Sequence, residues 1–296
     1  MNSPAPLVTV GIPVYNGERY LARAIESLLT QTLADFELIV ADNASTDRTQ
    51  QMCEDYARRD SRVRYVRHPS NIGAPRNWNC LVDLARGKYF KWATANDRNA
   101  PTMLARCVEV LESDPGVVLC YGHTLLMDED ERPIEVFNGD IDVPMAAPSE
   151  RFAAVCTRLT LNNAMCGVIR TGVLKRTGMD RLYPSGDMAL MSELALYGRF
   201  RLLSDVLLQR RQAPGTFTSM LSPIQIQRVY NPGARFPMKM LRGRRHWDNF
   251  SCIVRAPIAV REKLRALGTA ARLLAWDRGV LFQELRSLLG PSRNAS

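Results

Sequence analysis

Short apolar runs alternate with amphipathic segments through the first 121 residues. Runs typical of buried strands cover residues 7–14, 36–41, 63–66, 89–93 and 116–121. Between them, apolar residues recur at helical spacing over residues 20–29, up to about residue 58, and over residues 77–85 and 101–111. Strands that alternate with helices in this way are typical of βαβ units. We therefore predict an α/β fold with a Rossmann-like, mostly parallel central sheet flanked by helices.

The regular alternation ends near residue 127. Farther along, the pattern predicts helices at residues 150–159 and 187–196, a strand at residues 202–210, and a mixed strand or loop at residues 162–170. A loop-like stretch after Pro214 leads into helical segments at about residues 260–273 and 280–289. We therefore expect one domain over residues 1–225 and a helical C-terminal extension over residues 226–296.

The composition fits a globular chain with a substantial core, since 46% of the residues are apolar and 23% are charged. The seven cysteines form no C-x-x-C pair, which is typical of reduced thiols in a cytoplasmic protein rather than of a disulfide or zinc framework. The first residues lack the features of a signal peptide, and no run approaches the roughly 18 apolar residues of a membrane span. We therefore expect a soluble, cytoplasmic protein.

The basic charge is confined to the C-terminal segment. From Arg228 onward there are fourteen Lys/Arg and four Asp/Glu, a net charge of +10, so the other residues carry −1 of the total of +9. This near-neutral body argues against nucleic-acid binding. One interpretation of the basic segment, which includes RGRRHW and REKLRALGTAARLLAW, is peripheral docking on anionic lipid at the inner face of the membrane. The other, which we favour, is helices that pack on the domain or on a second subunit of a homodimer.

Short polar residues accompany the ends of three predicted strands. GIPVYNG contains the end of the first strand, DNASTD follows the second, and TAND follows the fourth. Because ligands bind outside the carboxyl ends of the strands in open α/β sheets, these residues are candidates for a binding site. GIPVYNG lacks the G-x-G-x-x-G pattern that lets a backbone approach a pyrophosphate, which argues against a nicotinamide enzyme.

Four segments occur in the order VTVGIPVYNGERYLARAIESLLTQT, FELIVADNASTD, NIGAPRNWN and GKYFKWATAND. With them the chain resembles the inverting family-2 glycosyltransferases of GT-A fold, over residues 7–121 as a nucleotide half and more weakly over an acceptor half, residues 122–225. The resemblance implies transfer of a hexose-like sugar from a nucleoside-diphosphate sugar to a hydroxyl acceptor with inversion, with UDP or dTDP favoured over GDP. Glycan, cell-envelope or glycosylated-metabolite biosynthesis is the implied setting.

The resemblance also implies a donor pocket at the ends of the first strands. The base and ribose contacts would be Pro13, Tyr15 and Asn16, and the residues that read the base would be Asp42, Asn43 and Ser45. The diphosphate contacts would be Asn71, Gly73 and Asn77. A carboxylate suits base reading because it accepts a hydrogen bond from a ring N–H. The alternative is that these residues only form loops and helix caps.

The family's D-x-D cluster, which holds the diphosphate and a divalent metal ion, is altered in this chain. The alignment leaves Asp97, with Asn96 as a neutral oxygen ligand and Thr94 where a carboxylate is usual. Gln212 and Ala213 stand where a histidine often completes the metal shell. An Mg²⁺ or Mn²⁺ site at Asn96 and Asp97 is therefore in doubt.

Two arginines at the end of the last predicted strand could bind the diphosphate instead. Arg210 and Arg211 offer guanidinium groups, whose fork of donors fits phosphate oxygens. The alternative is a solvated strand end.

The segment YPSGDMALMSELALYGRF resembles the start of the family's acceptor-side helix. Asp187 is then the candidate base, which would take the proton of the acceptor hydroxyl as this hydroxyl attacks the anomeric carbon. The alternative is an acid in a first helical turn, where the helix dipole favours it. Asn162 and Asn163 are candidates for acceptor contacts.

Two other functions stay open at this point. The first is a sugar-nucleotide-binding or scaffold protein with a degenerate metal site and no catalysis. The second is a nucleotidyltransferase, which needs a basic, glycine-rich loop after the first strand to grip a triphosphate, and GIPVYNGER does not supply one.

Overall fold

A computed structural model describes residues 5–212, 221–236 and 238–289 of the chain. In its first half, strands and helices alternate as the apolar pattern predicts. The elements are β1 (Val8–Val14), α1 (Leu21–Leu29), β2 (Phe36–Asp42), α2 (Thr49–Arg59), β3 (Val63–Arg67), α3 (Ala74–Leu84), β4 (Tyr89–Trp92), β5 (Arg98–Asn99), α4 (Met103–Ser113) and β6 (Val117–Met127). The short β5 is the one strand of this half that the pattern did not predict.

The second half contains more structure than its irregular pattern predicted. Its elements are β7 (Pro133–Val136), α5 (Pro148–Arg158), a 3-10 turn (Ala164–Cys166), β8 (Val168–Arg170), α6 (Thr171–Leu174), α7 (Gly186–Tyr197), β9 (Arg199–Arg211), α8 (Pro223–Tyr230), α9 (Leu241–Arg255), α10 (Val260–Trp276) and α11 (Arg278–Leu289). The pattern did not predict β7, α6, α8 or α9. The helix α8 begins with a local signal, since Ser222 and Gln225 form a reciprocal capping box ahead of Pro223.

One mixed sheet organises the molecule. Its strand order is β3-β2-β1-β4-β8-β6-β9-β5, with β7 paired to β6. The strands β1 to β4 are parallel, and β8 is antiparallel to both β4 and β6, so β6 and its parallel partner β9 run in the same direction as the first four. The prediction of a mostly parallel sheet flanked by helices is confirmed.

The sheet separates two apolar cores, and β2 contributes to both. Leu38 and Val40 lie in the core with α1 and α4, whereas Ile39 and Ala41 lie in the core with α3 and α7. This alternation follows from the two-residue repeat of a strand. Because both faces are covered, the strand is apolar throughout rather than alternating with polar residues.

The C-terminal extension packs on the domain through a third, smaller core. Ile253 on α9 and Ala266 and Ala270 on α10 are buried together with Phe152 on α5 and Leu196 on α7. Packing of these helices on the domain is one of the two interpretations that the sequence left open. No helix among residues 5–212, 221–236 and 238–289 is long and apolar enough to cross a membrane. The domain boundary near residue 225 stays a prediction.

Candidate active site

The loops after β1, β2 and β4 meet at one edge of the sheet. In the strand register, Val14 pairs with Asp42 and Gly11 pairs with Trp92. A Cβ atom added at Gly17 would lie 3.7 Å from the Cβ of Ala95, so the loop after β1 touches the loop after β4. Three of the segments that carry predicted site residues are therefore neighbours.

Asp42 ends β2 and is fully buried. Its Oδ1 accepts a hydrogen bond from the Ser45 amide (2.8 Å), and its Oδ2 accepts from the Tyr65 hydroxyl (2.7 Å) and from Nη1 of Arg67. A carboxylate offers about four acceptor sites, so the protein itself uses most of them. Burial and the charge of Asp42 raise the pKa of Tyr65, which keeps this hydroxyl protonated as a donor. Asp42 thus stabilises this edge of the sheet through hydrogen bonds to Ser45, Tyr65 and Arg67.

Arg67 is a residue at this edge that the sequence did not single out. Its guanidinium donates to the Ser45 carbonyl (2.9 Å) as well as to Asp42, while about a third of its side chain, 32%, is exposed. The sequence did offer a signal, since β3 ends in the basic residue Arg67 and β2 ends in the acid Asp42. Arg67 therefore offers a partly exposed positive charge at this edge, whereas the Asp42 side chain is fully buried.

The loop after β1 is fastened to the loop after β2. The Asn16 amide donates to Oγ of Ser45 (2.9 Å), and Oδ1 of Asn16 accepts from the Thr46 amide (2.8 Å). Asn16 takes a left-handed backbone conformation, with φ of 53°. Pro13 is buried within β1, whereas the Tyr15 ring is half exposed at the rim. Of these predicted residues, Tyr15 has the side chain best placed to meet a ligand.

The predicted asparagines farther along hold loops together. Nδ2 of Asn43 donates to Oδ1 of Asn71 (2.9 Å), and Oδ1 of Asn43 accepts from the Ile72 amide (2.8 Å). Asn77 is buried, and its Nδ2 donates to the carbonyl of Ala41 (2.9 Å). These contacts match the loop-forming alternative. A ligand contact for these residues stays a prediction.

Gly73 begins the turn before α3 with a left-handed φ of 90°, which favours glycine. A Cβ atom at this position would lie 2.3 Å from the carbonyl oxygen of Tyr230 on α8. The predicted donor residue thus has a structural role of its own, since it lets α8 approach α3.

Arg211 is committed to contacts within the protein. Its side chain is almost fully buried, donates to the carbonyls of Asn96, Asp128 and Glu129, and pairs with Glu131 (2.9 Å). Each of its three side-chain nitrogens therefore has an acceptor. Four of the five N–H groups of Arg211 are engaged within the described residues, so of the two predicted phosphate ligands Arg210 is the one we carry forward as a proposal.

Asp97 lies close to two basic side chains, Arg210 and Lys91. It is buried, and its Oδ1 accepts from the Arg211 amide (2.9 Å). Burial raises the pKa of Asp97, while the nearby charges of Arg210 and Lys91 act in the opposite direction. Lys91 itself is buried in β4, where its Nζ donates to the carbonyls of Trp92 (3.1 Å) and Cys166.

These residues do not fit a divalent metal ion. Mg²⁺ and Mn²⁺ require several oxygen ligands, usually with carboxylate charge, and Asp97 is the one carboxylate of the predicted set. Asn96 is exposed and neutral, and Thr94 contributes its Oγ1 to the Asp97 amide (3.2 Å). Within the part of the chain that the structure describes, no group of three His, Cys, Asp or Glu residues could hold a metal ion. Ala213 lies outside the described residues.

Arg210, predicted as a phosphate contact, and Asn163, predicted as an acceptor contact, are bonded to each other. Nη1 of Arg210 donates to Oδ1 of Asn163 (2.7 Å), and Nδ2 of Asn163 donates to Oδ1 of Asp140 (3.0 Å). Burial raises the pKa of Asp140. Asp140 falls in a segment without periodicity, so no sequence signal indicated it.

Asp187 lies in the first turn of α7, where its Oδ2 accepts from Nδ2 of Asn162 (2.8 Å). A second carboxyl group is close by. Oδ1 of Asp180 is enclosed and has no hydrogen-bond partner among the described residues. Burial and then the charge of Asp187 raise the pKa of Asp180 to about 8, so near neutral pH Asp180 retains its proton. Both carboxyl groups also raise the pKa of Tyr230, after burial.

A continuous series of contacts joins the two ends of the predicted site. Asp97 bonds the backbone of Arg211, the adjacent Arg210 bonds Asn163, and the adjacent Asn162 bonds Asp187. These residues come from the loop after β4, the end of β9, the loop before the 3-10 turn and the start of α7. Tertiary folding therefore connects predicted site residues from four separate segments.

A cavity of about 630 Å³ lies on the α8 and α9 side of this site. Its lining includes Tyr230, which senses the charge of Asp180 and Asp187, and the side chains of Trp247, Arg76 and Arg244. None of the predicted site residues is among its described lining residues. The cavity adds aromatic surface and positive charge next to the predicted site.

Comparison with known proteins identifies relatives for the first half of the chain. The family model described as Glycosyl transferase family 2 matches residues 9–164. "Uncharacterized glycosyltransferase EpsJ" of Bacillus subtilis (strain 168) is 37% identical over 109 residues, which are 37% of this chain and 31% of that protein. "Chondroitin synthase" of Escherichia coli is 32% identical over 116 residues, which are 39% of this chain and 17% of that protein. The chain thus matches less than half the length of these relatives.

Solved structures match over a larger part of the chain. TarS of S. aureus in complex with UDP has a TM-score of 0.61 at 17% identity, covering 92% of this chain and 73% of that chain. Mannosyltransferase PcManGT from Pyrobaculum calidifontis, in complex with GDP-Man and Mn²⁺, has a TM-score of 0.54 at 18% identity, covering 93% of this chain and 76% of that chain. At this identity the likeness concerns the fold, which is the GT-A fold that the motifs predicted.

Proposed function

The chain belongs to glycosyl transferase family 2, and from this premise we propose that it is an inverting glycosyltransferase that moves a sugar from a nucleoside-diphosphate sugar to a hydroxyl acceptor. The observation that carries the proposal is the series of contacts that joins Asp97, Arg210 and Asp187 through Asn163 and Asn162. This series connects Arg210, the proposed phosphate-binding cation, with Asp187, the proposed base.

The donor would bind across the loops after β1 and β2. Tyr15 offers an exposed ring to stack on the base, and Arg67 offers exposed donors to its carbonyl oxygens. Asp42 would act mainly through Arg67 and the turn at Ser45, since its own oxygens are engaged. UDP or dTDP is the favoured donor nucleotide by family resemblance, and the structural neighbour TarS is seen with UDP.

The transfer would be a single displacement. Asp187 takes the proton of the acceptor hydroxyl, the acceptor oxygen forms a bond to the anomeric carbon, and the bond from this carbon to the diphosphate oxygen breaks. The nucleoside diphosphate leaves with the electron pair of that bond. Because the acceptor attacks from the face opposite the leaving group, the anomeric configuration inverts. Asn162 holds the Asp187 carboxylate in place through its hydrogen bond.

We infer that Arg210 supplies positive charge to the leaving diphosphate. It is the arginine of the predicted pair with fewer hydrogen bonds to the described residues, and a guanidinium fork fits phosphate oxygens. The residues around Asp97 do not fit a divalent cation, so no step of this scheme uses one.

The cavity beside Tyr230 is the proposed acceptor site. Trp247 and Tyr230 offer rings on which a sugar could stack, while Arg76 and Arg244 favour an acceptor that carries negative charge. The proposed setting is glycan, cell-envelope or glycosylated-metabolite biosynthesis.

Titration calorimetry with UDP, dTDP and GDP tests the donor site, and we expect the pyrimidine nucleotides to bind more tightly. Slow hydrolysis of the donor sugar by water then tests the chemistry, since NMR of the freshly released sugar reports inverted or retained configuration. Retention would overturn the inverting mechanism. Donor binding without hydrolysis or transfer would favour the non-catalytic alternative, and pyrophosphate release from a nucleoside triphosphate and a sugar phosphate would favour a nucleotidyltransferase.

A further inference from the structure

The helix α10 has a largely exposed stripe of apolar side chains, of which Leu267, in the middle, packs partly against the C-terminal core. Its buried side, which includes Ala266 and Ala270, packs within the C-terminal core. Another side carries Val260, Leu264, Ala271 and Leu274, all of them exposed. These four recur at intervals of four, seven and three residues, so they line up along one side of a helix with 3.6 residues per turn. Val260 is 72% exposed and Leu264 is 65% exposed.

A basic stripe runs beside this apolar stripe. Arg261, Arg265 and Arg272 are each exposed and each follow a member of the apolar stripe by one residue. One side of α10 packs on the domain. The adjacent apolar and basic stripes suit a second partner that offers an apolar phase beside negative charge.

Many other exposed apolar side chains lie in the same part of the chain. Eleven of the sixteen exposed large apolar side chains of the described residues lie in the C-terminal extension: Phe236, Trp247, Val254, Val260, Leu264, Leu274, Trp276, Val280, Phe282, Leu285 and Leu288. Trp276, at the end of α10, is 89% exposed. Aromatic side chains at the edge of a basic, apolar surface are typical of helices that lie in a membrane interface.

We propose that the outer side of α10, with the exposed apolar residues of α9 and α11, docks on an anionic bilayer surface. Charge selects this partner over a second copy of the chain. The segment from Arg228 onward carries a net +10, whereas the rest of the chain carries −1. Two copies joined through this surface would bring like charges together, while an anionic bilayer offers opposite charge and an apolar phase at the same place.

The position of this surface gives the proposed function a substrate class. Trp247 and Arg244 on α9 line the cavity of about 630 Å³, and Trp247 is also one of the exposed apolar residues. If the cavity is the acceptor site, as the proposed function holds, a docked enzyme meets acceptors at the membrane surface. The acceptor class is then a hydroxyl compound carried on a lipid with an anionic head group.

Co-sedimentation of the full chain with vesicles tests the docking itself. We expect binding to vesicles of phosphatidylcholine with phosphatidylglycerol, little binding to phosphatidylcholine alone, and weaker binding as salt rises. The double variant Val260→Ser and Leu264→Ser and the triple variant Arg261→Gln, Arg265→Gln and Arg272→Gln should each lose at least about tenfold in partition. The first removes apolar contact with the bilayer, and the second removes attraction to the anionic head groups. Circular dichroism and the thermal midpoint check that both variants are folded.

Matched controls place the same changes on the main body. Ile134→Ser with Val136→Ser alters exposed apolar residues of β7, and Arg48→Gln, Arg58→Gln and Arg132→Gln alter exposed arginines. Equal binding by wild type and both α10 variants, or equal binding to neutral vesicles, would overturn the proposal. So would a dimer in light scattering that the double variant abolishes, since a second copy would then cover the surface. Vesicle binding needs no sugar, so failure of donor binding would count against the proposed function alone.

Discussion

Asp187 and Asp180 illustrate how environment separates two like residues. Asp187 accepts a hydrogen bond from Asn162, whereas the enclosed Oδ1 of Asp180 has no partner among the described residues. Close carboxyl groups resist double ionisation, and burial directs the proton to Asp180, whose pKa rises to about 8. Asp187, held by Asn162 at the start of α7, is the carboxyl group of the two that the proposed mechanism uses as the base.

The variant Asp187→Asn tests the assignment of the base. The amide cannot accept the proton of the acceptor hydroxyl, so turnover should fall by about 10²–10⁴-fold while the Kd for UDP stays unchanged. Donor hydrolysis and transfer are the assays, with calorimetry for binding. The control Asp130→Asn changes an exposed acid in the turn before β7 and should retain activity. Full turnover by Asp187→Asn would exclude this base.

The variant Asp180→Asn should change how stability depends on pH. The pKa of Asp180 is about 8 in the folded protein and 3.8 in its ordinary state, so folding binds a proton between these values. Its contribution to wild-type stability is therefore fully present below pH 3.8 and is lost as the pH rises to about 8. Asp180→Asn removes this loss. The unfolding free energy of the variant minus that of the wild type should therefore be larger at pH 8 than at pH 5, by more than about 1 kcal/mol. Urea unfolding at both pH values measures it, and an unchanged pH dependence would contradict the assignment.

Removal of divalent cations should not abolish donor binding or turnover. One buried carboxylate with cationic neighbours makes a poor site for Mg²⁺ or Mn²⁺. We expect calorimetry with UDP to give the same Kd in EDTA as in Mn²⁺, whereas Arg210→Ala should weaken UDP by about tenfold or more. A Kd that depends on Mn²⁺ would show that ligands from elsewhere complete a metal site.

At the scale of elements, the contact between α3 and α8 depends on Gly73. Its φ of 90° and the 2.3 Å that would separate an added Cβ atom from the Tyr230 carbonyl oxygen leave no space for a side chain. Gly73→Ala should lower the unfolding free energy by about 1–3 kcal/mol and expose α8 to proteolysis. Gly172→Ala is the matched control, since nothing lies within 4 Å of its added Cβ. Equal stability of both variants would contradict this account.

Some elements could be predicted and others could not, for physical reasons. The strands β1 and β2 and their helices were predicted because each buries apolar residues at a regular period. The strand β7 is exposed at every residue, so it has no apolar pattern, and β5 has only two residues. The helix α9 was missed because its basic residues mask the few that it buries, among them His246 and Ile253.

At the scale of the whole molecule, the C-terminal helices share a core with the domain. Ala266→Glu would bury a charge in this core and should cost more than about 2 kcal/mol of unfolding free energy. Ala271→Glu changes an exposed residue of the same helix and should have little effect. Calorimetry should give one cooperative transition for the wild type, since the core joins both parts. If calorimetry instead shows a second transition at lower temperature, and Ala266→Glu shifts only that transition, the extension unfolds independently.

The sequence by itself determined the α/β architecture and the family, because strand-ending polar motifs and apolar periods are local properties of the chain. It also placed Thr94 and Asn96 where the family resemblance expects carboxylates of the D-x-D cluster. Only the tertiary structure decided the state of the predicted residues. It buried Asp42 and Arg211 in contacts with the protein, joined Arg210 to Asn163 and placed Asp187 where its charge raises the pKa of Asp180. These outcomes depend on partners far apart in the chain, whose burial and charge no local pattern records.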